Sequence, residues 1–105
     1  MLFRSQLFLD GGVYQGKRIL REATVAEMLR NQTAGLGEKI PPRGLGWAFY
    51  EQGWIGHGGA FGTMGIFDPK TRTVAILMIQ RVGGYNEIQK AFRDTVMSTE
   101  MSFKK

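Results

Sequence analysis

Apolar positions along this chain switch between helical and alternating spacing, and the switches mark the elements to expect. Phe3 to Leu9 is a short apolar segment that reads as the end of a helix, one that would continue upstream in a longer protein. Asp10-Gly11-Gly12 stops it as a turn. Residues 23–31 form a second predicted helix, with Val25, Met28 and Leu29 on one face and Thr24-x-x-Glu27 as a capping box. The stretch from Thr33 to Arg43 holds Gly35, Gly37, Pro41 and Pro42 and reads as a loop.

Alternation then takes over. Gly44 to Tyr50 is predicted as a strand, with Leu45, Trp47 and Phe49 on one face and Trp47 assigned to the core. A second strand is expected from about Ala60 to Phe67 and a third from Thr73 to Gln80, joined as a hairpin through Asp68 to Arg72. The run Val74 to Ile79 has no polar alternation, so that strand should be covered on both faces. A helix from about Asn86 to Met101 supplies one cover: Ile88, Ala91, Phe92, Thr95 and Val96 share a stripe, and Asn86 is the expected N-cap. Met97 and Met101 read as gap-filling core. The expected architecture is α+β, an antiparallel sheet of about three strands with helices before it and a C-terminal helix packed on it.

Composition sets bounds on that picture. A chain of 105 residues, 43% hydrophobic and 11% aromatic, suits one folded domain over residues 1–105. With no cysteine, disulfides and thiolate metal sites are excluded, and a single histidine argues against a zinc site, so neither metal nor cofactor is expected. The net charge of +5 is spread along the chain, with Lys17, Arg18 and Arg21 close together but interleaved with Glu22 and Glu27. That pattern describes a solvated face, and no nucleic-acid partner is expected. Met1-Leu2-Phe3-Arg4 reaches Asp10 too soon for the apolar core of a secretion signal, and no apolar run is long enough for a membrane span. No membrane partner is expected, and no localisation follows.

Candidate chemistry centres on Trp54-Ile55-Gly56-His57-Gly58-Gly59-Ala60-Phe61-Gly62-Thr63, which sets the only histidine directly before two glycines. Glycines let a ligand approach the backbone and leave amides free to donate to an oxyanion, with an imidazole beside them to move a proton. The other reading is architectural: Gly58, Gly59, Gly62 and Gly65 mark bends or bulges, and His57 is a hydrogen-bonding structural residue.

The order of motifs around this decapeptide resembles the C-terminal sheet of the serine β-lactamase-like family, which includes class C β-lactamases, D-alanyl-D-alanine peptidases and related esterases. His57-Gly58-Gly59 is similar to that family's Lys-Thr-Gly triplet, which reads His-x-Gly in many esterase-like members. Gly44-Leu45-Gly46-Trp47 looks like the strand that precedes the triplet. Leu9 to Leu20 followed by Ala23-Thr24-Val25 looks like the family's segment further upstream. The resemblance implies that the Ala60 amide is one oxyanion-hole donor and that His57 binds a substrate carboxylate or assists proton transfer. It also implies two further strands from an N-terminal part, so one sheet edge here should be unpaired.

The family's chemistry also needs a Ser-x-x-Lys nucleophile and a Tyr or Ser motif upstream of the triplet, and neither is present. The only Ser-x-x-Lys is Ser102-Phe103-Lys104-Lys105, on the wrong side of the triplet, and no Tyr-x-Asn occurs. The chain therefore reads as a C-terminal segment with no complete catalytic set, its vestigial site being His57, Gly58, Gly59 and Ala60, inactive alone. The alternative is a small homo-oligomeric binding module in which the His57 strand holds a carboxylate or peptide. A third possibility is an enzyme with a relocated nucleophile, Ser102, Thr63 or Tyr85. The partner expected is a second copy or a complementing chain at the open sheet edge.

Overall fold

The computed structural model describes residues 2–103, with side-chain surroundings for residues 4–99. Helix α1, Leu2–Leu9, ends where expected. The Gly12 amide reaches back to the Leu7 carbonyl (2.9 Å), and Gly11 and Gly12 take the positive φ values (66° and 99°) that such a helix ending requires. Strands β1 (Val13–Tyr14) and β2 (Lys17–Arg18) follow as a small antiparallel hairpin. Its tip, Gln15-Gly16, has positive φ at both residues, the geometry that matches the twist of a two-residue hairpin. Sequence reading had passed over this hairpin.

Helix α2, Glu22–Leu29, buries Val25 and half-buries Met28 and Leu29, the face expected. The capping box is corrected: Arg21 is the N-cap, no side chain caps the helix, and Thr24 lies inside it. The Glu27 carboxylate is engaged at the other end of α2, by Arg30 at 2.8 Å and by the Gln32 side chain at 3.1 Å.

The main sheet contains β3 (Ala48–Phe49), β4 (Ile55–Gly58), β5 (Met64–Asp68) and β6 (Thr73–Leu77), in that order and antiparallel throughout. It has one strand more than the alternation revealed, because β4 carries Gly56 and Gly58 at positions where a strand pattern needs side chains. The first predicted strand shrinks to two residues. The Gly44 amide bonds the Trp47 carbonyl (2.9 Å) and Gly46 has φ 79°, so residues 44–47 turn rather than extend, and Leu45 is left 49% exposed. The second begins at Met64 because residues 59–63 form the turn between β4 and β5. The third ends at Leu77, with Met78 72% exposed. The Asp68 to Arg72 connection is the expected hairpin: the Lys70 amide donates to the Asp68 carboxylate (2.9 Å) and the Arg72 amide to the Asp68 carbonyl (2.8 Å).

Side chains alternate across this sheet into two cores. On one face Phe67 and Ile55 pack with Phe8 of α1, Val25 of α2 and Trp47, joined by Val74. Trp47 meets Phe8 and Phe67 edge-on at centroid distances of 4.8 and 5.3 Å. On the other face Met64, Ile66 and the fully buried Trp54 pack with Ala75 and Leu77 under helix α3, Asn86–Phe103. Val74 on one side and Ala75 and Leu77 on the other confirm a strand with apolar neighbours on both faces.

The buried stripe of α3 is rotated from the one expected. Gln89, Phe92, Arg93, Val96 and Met97 face the sheet or its rim, while Ile88, Ala91 and Thr95 are exposed. Counting apolar residues alone missed it because two members of the true stripe are polar. Asn86 is the first helical residue and the Gln89 amide bonds the Tyr85 carbonyl (2.9 Å), which puts the cap one residue earlier than expected. Met97 is core, as expected, and the side chain of Met101 lies outside the described side chains.

Candidate functional site

The connection from β4 to β5 brings the chemistry-bearing residues together. His57 stands exposed on β4, paired across the sheet with Gly65, so β5 sets no side chain opposite it. Gly56 is required one residue earlier, since a Cβ there would overlap the Gly65 carbonyl and the Ile66 backbone of β5. After Gly58 the chain turns: the Gly59 amide donates to the Thr63 carbonyl (2.7 Å) and the Gly62 amide to the Gly59 carbonyl (3.1 Å). Gly59 is held without a side chain for a local reason, because a Cβ would overlap the Thr63 hydroxyl. At Gly62, φ is 95° and the backbone lies against Ile79 and Tyr85.

Helix α3 supports this turn from below. Gln89, 8% exposed, donates its side-chain amide to the Gly62 carbonyl at 3.0 Å and approaches the Thr63 carbonyl at 3.4 Å. Sequence reading gave Gln89 no role. The signal available was a polar residue at the helical spacing of Phe92, Val96 and Met97, and it becomes legible only once the turn above it is known.

The His57 ring makes one hydrogen bond, from Nδ1–H to the Gly58 carbonyl at 2.5 Å, which fixes the proton on Nδ1 in the neutral ring and leaves Nε2 without a partner among the described residues. This contact is to the next residue in sequence and joins no other element. It does not support a structural role for the ring. The Gly59 amide is used within the turn, whereas the Ala60 amide makes no hydrogen bond among the described residues. Of the groups expected to form the site, an imidazole and one free amide are therefore present.

Two small clefts meet at this point. One, of about 360 Å³, is lined by Arg4, Gly46, His57, Gly58, Gly59 and Thr63. Its neighbour, of about 320 Å³, is lined by Arg43, Gly44, Gly46, Trp47 and His57. Gly46 and His57 form the wall that they share. Arg4 lies over the indole of Trp47, 5.5 Å from the ring centroid. A roomier hollow of about 470 Å³ under the 31–42 loop is lined by one ionisable side chain, Glu38, and shares no lining residue with the two clefts. Behind the sheet edge, burial pushes the Tyr50 hydroxyl up in pKa, opposed by the charges of Arg93 and Arg43.

Thr63 shares the cleft with His57, yet its hydroxyl makes no hydrogen bond to the ring. Tyr85 packs against Gly62 rather than lining the cleft. Among the described residues no carboxylate lines either cleft to orient the imidazole. The Ser102 side chain and Lys104-Lys105 lie outside the described residues.

A family model described as Beta-lactamase matches residues 6–95. The chain belongs to the β-lactamase family. The match runs from within α1 into α3 and takes in every cleft residue except Arg4. No curated protein matches the chain. In this β-lactamase-family chain His57 and Gly58 end strand β4 and Gly59 opens the turn after it.

Proposed function

We propose that this chain supplies the triplet strand of a β-lactamase-type serine hydrolase and is catalytically silent on its own. In that role the Ala60 amide is one oxyanion-hole donor, and His57 contacts the substrate carboxylate or passes a proton. The observation that carries the reading is the isolation of His57: among the described residues its one hydrogen bond is to the Gly58 carbonyl, and no hydroxyl is paired with it. A serine-type nucleophile needs a base within hydrogen-bond reach. Half of an oxyanion hole without that pair forms no acyl-enzyme, because the catalytic groups act as a unit.

Intact-mass spectrometry after incubation with a penicillin and with a fluorophosphonate, alongside nitrocefin and p-nitrophenyl acetate turnover, tests this. Unmodified mass and no turnover are expected. A stoichiometric adduct at one residue, with turnover lost when that residue is replaced, would overturn it.

A second reading, a homo-oligomeric binding module, draws support from β6. This strand pairs only with β5 among the described residues, its five residues are half-exposed, and Thr73–Leu77 carries no charge or proline to discourage pairing with another strand. Sedimentation analysis across a concentration series distinguishes the two: a monomer at every concentration removes the second reading.

A further inference from the structure

We propose that the paired clefts around His57 bind a small molecule carrying two carboxylates, one held by Arg4 and the other by Arg43. The proposal deepens the binding reading of the His57 strand and is independent of whether any acylation occurs.

Four arginines find acceptors within the chain. Arg18 donates to the Gly11 and Leu20 carbonyls, Arg30 pairs with Glu27, Arg72 with Asp10, and Arg93 with Glu51. Arg4, Arg21, Arg43 and Arg81 have no carboxylate partner among the described residues, and of these four Arg4 and Arg43 line the clefts. Among the described residues each cleft is lined by an arginine and by no acidic side chain, in a chain whose net charge of +5 already draws anions.

Geometry favours carboxylates over a single compact anion. A guanidinium presents parallel N–H donors that match a carboxylate fork. Here Arg4 and Arg43 line adjoining clefts that share Gly46 and His57, an arrangement suited to two anionic groups joined by a short linker. Arg4 is also restrained in advance, stacked on Trp47, a residue locked in the core between Phe8 and Phe67. Less side-chain freedom is lost when a ligand binds a restrained arginine. The Arg43 backbone is fixed as well: its amide donates to the Thr33 hydroxyl at 3.1 Å, and its carbonyl accepts from the Gln32 amide at 2.6 Å.

The test is titration calorimetry at low ionic strength with linear dicarboxylates from succinate to adipate, with acetate and inorganic phosphate as comparisons. The proteins are the parent chain and the Arg4→Gln, Arg4→Lys and Arg43→Gln variants, each checked for an unchanged melting temperature. One dicarboxylate length should bind best, Arg4→Gln and Arg43→Gln should each weaken it by about tenfold or more, and Arg4→Lys should fall between. Acetate binding that equals dicarboxylate binding and depends on one arginine alone would overturn the two-carboxylate proposal while sparing a carboxylate-binding strand. Phosphate binding more tightly through both arginines would reassign the clefts to a single compact anion. Absence of saturable binding by every probe would overturn the proposal and the binding reading together.

Discussion

Replacing Gly59 with alanine isolates what the turn demands of the triplet. The backbone of Gly59 is not in the left-handed region, so alanine is conformationally allowed there, and on chain-entropy grounds alone it would stabilise by about 0.4–1 kcal/mol. The obstacle is one atom. An added Cβ overlaps the Thr63 hydroxyl, while the Thr63 Cβ, at 3.6 Å, is in ordinary contact. Rotation of Thr63 gives limited relief, since one of its two other staggered rotamers brings the methyl into the same space and β-branching restricts χ1. Overpacking of this kind costs about 1–3 kcal/mol, so Gly59→Ala should destabilise by about 1–2 kcal/mol net. In a Thr63→Ala background the overlap is gone, and the same change should be neutral or stabilising by up to about 1 kcal/mol. The coupling energy is then about 2 kcal/mol, read from urea unfolding of the four proteins of a double-mutant cycle. Equal effects of Gly59→Ala in both backgrounds would refute the reasoning.

Three further outcomes follow from the packing and electrostatics. Gln89→Leu leaves the Gly62 and Thr63 carbonyls without their side-chain donor and should cost about 1–3 kcal/mol, seen as a lower urea midpoint and faster amide exchange in residues 59–63. Phe67→Ala removes a fully buried ring from beside Trp47 and should cost about 3–5 kcal/mol, a large share of a small domain's stability, with loss of near-ultraviolet circular dichroism. Glu27 is held at a pKa of about 2, first by its hydrogen bond to Arg30 and then by Gln32, against an ordinary 4.5. A depressed carboxylate stabilises the folded state above its unfolded value, and that contribution is lost as pH falls from about 4.5 towards 2, so Glu27→Gln should flatten this part of the stability profile.

Much of this fold was legible in the sequence because local signals and packing agreed. The Asp10-Gly11-Gly12 stop, the Val25 face of α2 and the Asp68–Arg72 hairpin each follow from turn chemistry or apolar spacing. Strand β4 was hidden because glycine occupies alternate positions, at Gly56 because of the close approach of the Gly65 carbonyl and not by any preference for extended backbone. The turn of residues 44–47 kept an alternating pattern without its geometry, since Leu45 is apolar yet faces solvent. The site divides in the same way. His57-Gly58-Gly59-Ala60 was readable as a motif, and the structure gives the local reasons for the glycine at 59 and the free amide at 60. Gln89 under the turn and Arg4 over Trp47 depend on contacts across 26 or more residues, for Gln89 to Thr63, and on the approach of α1 to the 44–47 turn, neither of which a local pattern encodes.

The tie between α1 and the β5–β6 hairpin has a consequence for synthesis. Arg72 donates to the Leu9 carbonyl at 3.2 Å and pairs with Asp10, across a separation of 63 residues from Leu9. A ribosome adding roughly 5–20 residues per second needs on the order of 3–13 seconds to cover that interval. The apolar cover of Phe8 includes Phe67 of that hairpin, with Leu9 and Val74 packed beside it. Phe8 and Leu9 must therefore wait, unshielded, for the sheet that will cover them, and during that wait they are open to capture by chaperones.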